Sequence, residues 1–124
     1  MTFSFDSNSA APLFRQLANQ VIRAIAYREL MPGDHLPTIR KLAEEYELNM
    51  MTVSKAYQML ASEGYIITDR RSGAVVAERR KTEQNCISRE RMEELELHMA
   101  ELKLHGIDDG EILVLCRQIL RDMD

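Results

Sequence analysis

Only three residues, Glu47, Leu48 and Asn49, separate two stretches of helical periodicity. On one side Ile39, Leu42, Ala43 and Tyr46 recur at i, i+3, i+4 and i+7, and on the other Val53, Ala56, Tyr57 and Leu60 repeat that spacing. A connector of that length commits the two helices to one supersecondary unit. Both start signals are present. Thr38 can cap the first helix and Asn49 the second, each offering a side-chain oxygen to a free backbone N–H of the opening turn. Gly64 supplies the stop after Glu63.

The flanking segments complete a pattern. From Pro12 to about Leu30, Phe14, Leu17, Ala18, Val21, Ile22 and Ile25 predict a helix, with Pro12 suited to its first position. The run "MPGDHLP" (31–37) is turn chemistry and breaks the chain. After Gly64, "YIIT" and "AVVA" are short β-branched runs joined by "DRRSG", which predicts a hairpin. Each piece is a weak signal, but three helices, a short turn between the last two and a closing hairpin agree in order. The expected fold is mainly α with a small β-hairpin, a winged helix-turn-helix over residues 1–77.

Residues 78–87, "ERRKTEQNCI", read as a polar linker. Ser88 then caps a helix whose Met92, Leu95, Met99 and Leu102 form a narrow 3-4-3 seam ending at Gly106. Asp108 or Asp109 opens a last helix with Ile112, Cys116, Ile119 and Met123 on one stripe, which Leu113, Leu115 and Leu120 widen. Two such helices cannot bury this surface alone, and pairing with a second copy is the simplest solution. Residues 88–124 are therefore expected to be a two-helix dimerisation tail.

Net charge is −4, but it is unevenly placed. Residues 1–80 hold ten Lys/Arg against nine Asp/Glu, and residues 81–124 hold six against eleven. The acidity belongs to the tail, so the first part is free to bind an anion. Two cysteines, Cys86 and Cys116, have no metal-type spacing and fit reduced thiols. No targeting segment and no apolar run of membrane-spanning length is visible, so a soluble cytoplasmic protein is expected, without a membrane partner.

The helix opened by Asn49 has two unlike sides. Projected at about 100° per residue, Val53, Ala56, Tyr57 and Leu60 face the core. Met51, Lys55, Gln58 and Ser62 fall opposite, with Thr52 and Ser54 on the flanks. In a helix-turn-helix the second helix enters the major groove with its N-terminal part foremost. Lys55 then suits guanine O6/N7 or a phosphate, and Gln58 suits adenine. Thr52 and Ser54 are short donors for phosphate oxygens. An outward Met51 gains an apolar contact from a thymine methyl that water does not offer. Arg70 and Arg71, at the hairpin tip, are placed to reach a phosphate or the minor groove. The competing reading packs Met50 and Met51 on the wing or the preceding helix and leaves Lys55 and Gln58 as a solvated face.

The stretch "PGDHLPTIRKLAEEYELNMMTVSKAYQMLASEGYI" resembles the signature of GntR-type bacterial transcription regulators. It matches at Pro32-Gly33-Asp34, Leu36-Pro37, Arg40, Leu42-Ala43, Thr52-Val53, Ala56-Tyr57, Leu60, Glu63-Gly64 and Gly73, in order and spacing, and the resemblance runs from near Pro12 to Ala77, just over half of the chain. The short helical tail and Lys55-Ala56-Tyr57 are similar to the YtrA subfamily. The resemblance implies a homodimer that binds an inverted-repeat double-stranded DNA operator, most often as a repressor. It also implies DNA contacts from Arg40, from Thr52 at the opening of the recognition helix, and from the wing glycine Gly73. Two stretches depart from the subfamily: Asn49-Met50-Met51 stands where Asn-Pro-Asn is common, and Arg71-Ser72-Gly73-Ala74-Val75-Val76 where Gly-x-Gly-Thr-Phe-Val is usual.

Together these readings nominate Thr38, Arg40, Asn49, Met51, Thr52, Ser54, Lys55, Gln58, Arg70, Arg71 and Gly73 for DNA, and Met92, Leu95, Met99, Leu102, Ile112, Leu115, Cys116 and Ile119 for dimerisation. Neither a phosphate-binding glycine loop nor a zinc-type Cys/His cluster is present, so no catalysis, cofactor or metal is expected. A small effector is compatible with the tail, its identity unspecified, but the 37 residues of 88–124 are too few for a separate ligand domain. The alternative function is a winged helix that binds a protein, as an antitoxin-like module does.

Overall fold

In the computed structural model, residues 1–69, 73–78 and 87–124 are described. The chain divides into two compact units, Met1–Arg79 and Arg80–Asp124.

The first unit begins with an extended segment held along a helix. Helix α1 spans Leu13–Ala26, one residue later than Pro12 suggested and about four shorter than its periodicity suggested. Pro12 is the cap residue, its carbonyl accepting the Gln16 N–H. The helix stops because Arg28 takes a left-handed conformation (φ 63°) and the Glu29 and Leu30 amides turn back to the Ala24 carbonyl. Leu17, Ala18, Val21 and Ala24 are buried along its inner face.

Strand β1 (His35–Leu36), helix α2 (Ile39–Glu45), helix α3 (Met50–Ser62) and strands β2 (Ile66–Asp69) and β3 (Gly73–Val76) follow. The hairpin expected from the sequence is present, and β1 adds a third strand to it. The sheet order is β1-β3-β2, all antiparallel, with His35 opposite Val75 and Ile66 opposite Val76. A two-residue strand is too short to show alternation, which is why periodicity did not reveal it. The outer strand fixes the wing to the segment leading into α2.

Between α2 and α3 the turn is closed by a residue without glycine's freedom. Glu47 is left-handed (φ 54°), and the Leu48 amide donates to the Ala43 carbonyl, a Schellman-type closure. At the far end of α3 glycine does this work: Gly64 (φ 84°) donates to the Ala61 carbonyl and Tyr65 to that of Leu60. Leu17, Leu42, Leu60, Val21 and Val53 are the largest fully buried side chains, and the core they anchor lies wholly within the first unit.

The N-terminal segment joins that core through residues the sequence reading did not single out. Phe3 is buried and stacks edge-on with Tyr46, as does Phe5. The Phe3 amide donates to the Tyr46 hydroxyl, while Gln16 and Gln20, one turn apart on α1, pair both ways with the backbone of Asp6 and Ser4. A strap therefore ties the end of α2 to the outer side of α1. Its sequence signal was the alternation Phe3-x-Phe5 in an otherwise polar run.

The second unit holds helix α4 (Arg89–Leu104) and helix α5 (Asp109–Asp122). The Ser88 hydroxyl caps α4 by accepting from the Arg91 amide, and the Asp108 carboxylate caps α5 by accepting from the Glu111 amide. No described residue of α4 is buried, and in α5 only Ile112 is. No helix of the described residues is long and apolar enough to cross a membrane.

Candidate nucleic-acid interface

Helix α3 is anchored by one face and offers the other. Val53, Ala56, Tyr57 and Leu60 are all buried, as the projection required. The Tyr57 hydroxyl donates to the Pro37 carbonyl at 2.6 Å, binding α3 to the entry of α2. Burial raises the Tyr57 pKa from 10.0 to about 12, because the phenolate would lose its water. In the unfolded chain that phenol ionises near its ordinary value, so stability conferred below pH 10 declines as pH rises toward 12. Tyr57→Phe is expected to abolish that alkaline step and to cost about 1 kcal/mol at neutral pH. Chemical denaturation at pH 7 and pH 11 checks both.

The opposite face of α3 opens on solvent. Met51 is 79% exposed, so it faces solvent rather than packing on the described part of the wing or on the preceding helix, while Met50 is 51% exposed. Lys55 and Gln58 are exposed one and two turns further on, and Thr52 and Ser54 are half-buried on the flanks. The Asn49 side chain accepts from the Met51 amide at 2.8 Å, fixing the start of the helix. Gln58 Nε2 donates to Ser54 Oγ at 3.4 Å, a weak link that leaves both groups available to another partner. Lys55 does not stand free: its Nζ lies 4.1 Å from the centroid of the Phe14 ring on α1. The sequence placed Phe14 in the core, and no local spacing could have paired it with a lysine forty-one positions away.

Thr38 caps α2, its hydroxyl accepting from the Lys41 amide at 3.2 Å, and Arg40 is exposed at the second position of that helix. Neither α2 nor α3 carries an acidic residue in its first turn, so both openings keep an electropositive end. Gly73 begins β3 with φ 78°, and a side chain there would reach Thr38 Cγ2 at 3.9 Å, so backbone conformation rather than space selects glycine. Thr38 and Gly73, two of the nominated residues, thus lie near each other where the wing passes the start of α2. Arg70 and Arg71 lie outside the described residues, as does Cys86. Among the described residues no group of His, Cys, Asp or Glu side chains is arranged to hold a metal ion.

The nominated residues of the second unit divide by exposure. Met92, Leu95, Leu115 and Ile119 are 41–48% exposed, while Met99, Leu102 and Cys116 are half-buried. Ile112 is already buried in the single chain. Leu104 and Leu113, which were not nominated, are more exposed than any of these.

Comparison with known proteins agrees with the geometry. Residues 13–76 match the model of the bacterial regulatory proteins of the gntR family. The chain is 29% identical over 105 residues to the HTH-type transcriptional regulator YhcF of Bacillus subtilis, covering 85% of this chain and 87% of that protein. It is 39% identical over 77 residues to the transcriptional repressor YtrA of the same organism, covering 62% of this chain and 59% of the relative. A solved structure from Listeria monocytogenes, described as a transcriptional antiterminator, superposes with a TM-score of 0.82 at 25% identity over 99% of this chain and 92% of its own. With the matched segment running from α1 to the end of the wing, this chain belongs to the gntR family of bacterial regulatory proteins and is a YtrA-like, DNA-binding transcriptional regulator.

Proposed function

We propose that two copies of this chain pair through residues 88–124 and repress transcription from an inverted-repeat DNA operator in the cytoplasm, with residues 1–77 as the DNA-binding domain and 78–87 as the linker. The observation that carries the reading is the outer face of α3: Met51, Lys55 and Gln58 are exposed on a helix whose inner face is locked in the core. A ridge of a methionine, a cation and an amide suits a major groove with thymine methyls, base-edge acceptors and flanking phosphates better than it suits water. Each copy would place α3 in one of two major grooves about 10–10.5 bp apart, or a multiple of that.

Roles follow from position. Met51 meets a thymine methyl, and Gln58 pairs with adenine where it reaches. Thr52, Ser54 and Arg40 hold phosphates, with Thr38 and Asn49 setting the two helix starts beside them. Gly73 lets the wing backbone approach the minor groove, and Arg70 and Arg71 extend that reach. Repression rather than activation is supported by YtrA of Bacillus subtilis, which is named a repressor. A small effector, if one acts, would bind within the dimer interface.

A salt titration against the intergenic duplex upstream of the protein's own gene, beside a scrambled duplex, tests the reading. Specific binding that weakens steeply with salt is expected, and Arg40→Ala is expected to lower operator affinity at least about tenfold, the value of a charge-assisted phosphate contact. Binding that is absent even at low salt, together with salt-insensitive binding to a protein, would favour the protein-interaction module instead.

A further inference from the structure

The geometry points to Phe14 as a positioning residue for DNA binding, which holds Lys55 as a phosphate contact and takes it out of base reading. The inference rests on the proposed function and narrows it, since Lys55 by residue type alone suits either a guanine or a phosphate.

Lys55 shares the exposed face of α3 with Met51 and Gln58. Its ammonium nevertheless lies 4.1 Å from the Phe14 centroid, drawn sideways toward the second residue of α1. Among the described residues no carboxylate pairs with it, so the aromatic face is what orders this side chain. A lysine bent toward a neighbouring helix leaves the ridge that enters the groove and faces the groove wall, where phosphates run. Lysine also suits that place chemically, because a phosphate asks for a point charge and not for a fixed donor pattern. Phe14 is half-buried against the core, so its ring is itself held still. Base reading then falls to Met51 and Gln58.

The test begins with the free protein. Resting over a ring shields a methylene, so the Lys55 ε-protons are expected upfield of the other lysines in NMR spectra, and Phe14→Leu should return them. A Lys55 resonance at the ordinary position in the wild type would overturn the proposal. The second part measures affinity for the upstream intergenic duplex and its scrambled counterpart across salt. Lys55→Met is expected to weaken both duplexes alike and to flatten the log–log salt slope by about 0.9 per protomer. Phe14→Leu is expected to lower affinity by about two- to five-fold per protomer, the range of an exposed cation–π contact, with Phe14→Tyr restoring it. In the Lys55→Met background the same change should be silent. Equal losses from Phe14→Leu in both backgrounds would show that Phe14 acts through the fold and not through Lys55. A changed ratio of specific to scrambled binding in Lys55→Met would make Lys55 a base reader. Either result overturns the inference while leaving the regulator intact, as would a silent Lys55→Met. Wild-type protein that binds neither duplex would overturn the proposed function and this inference with it.

Discussion

Deletion of residues 88–124 is expected to leave a folded monomer whose operator affinity falls by about 10²- to 10⁴-fold. The first part of that expectation follows from the core, every member of which lies between Phe3 and Val76. Nothing in that cluster comes from α4 or α5, so the winged domain retains its buried side chains when they are removed. The second part follows from the exposed apolar surface of the tail. Leu95, Leu97, Leu104, Leu113, Val114, Leu115, Ile119 and Leu120 are between 41% and 88% exposed in the single chain. Two helices with so much aliphatic surface in water are a strong candidate for an interface. If that interface is a second copy, each head holds the other at high effective concentration on a two-site operator, and deletion removes that advantage without touching one DNA contact. Light scattering and anisotropy on the same preparation separate the two effects. A truncated protein that is still dimeric, or that binds the operator as well as the full chain, would refute the assignment of residues 88–124. Single charges supply a gentler test: Leu95→Asp or Ile119→Asp should shift the protein toward monomer without unfolding α1 to β3.

How far the fold was legible depended on how local its determinants are. Helix α3 was read nearly residue by residue, because Asn49 caps it, Gly64 ends it and its inner face repeats at helical spacing. The tail cap Ser88 was legible for the same reason, and of Asp108 and Asp109, both left open by the sequence, Asp108 is the cap of α5. The end of α1 was not, since the apolar pattern runs on past Ala26 while Arg28 reverses the chain in a left-handed conformation that no glycine announces. Glu47 does likewise in the turn before α3, although there the short spacing already demanded a break. Strand β1 needed a partner in β3 to exist at all.

The site follows the same rule. That Met51, Lys55 and Gln58 face outward could be computed from angle alone, and their exposure agrees. Where Lys55 points could not, because Phe14 is distant in sequence and adjacent only once α1 packs on α3. The strap was missed on similar grounds: Phe3 gains its meaning from Tyr46, forty-three residues on. Burial and caps are written into short windows, whereas side-chain direction is set by tertiary neighbours.

The two faces of α3 should therefore separate stability from recognition. Leu60 is 1% exposed and among the largest fully buried side chains, so Leu60→Ala removes a packed isobutyl group and leaves a cavity that neighbours fill only in part. A loss of about 3–5 kcal/mol is expected, a large share of what a domain this size has to spare. Met51 is 79% exposed, so Met51→Ala gives up almost no burial and should change stability by no more than about 0.5 kcal/mol. Its effect should fall on recognition, as a loss on the operator without a matching loss on scrambled DNA, since an apolar contact to a thymine methyl carries sequence information and a phosphate contact does not. Denaturant melts and the two-duplex titration, run on both variants, decide the matter. If Met51→Ala weakened both duplexes equally, this methionine would not read a base. If it destabilised the fold as Leu60→Ala does, the outward face of α3 would be a packed surface, and the helix would have no free side to offer DNA.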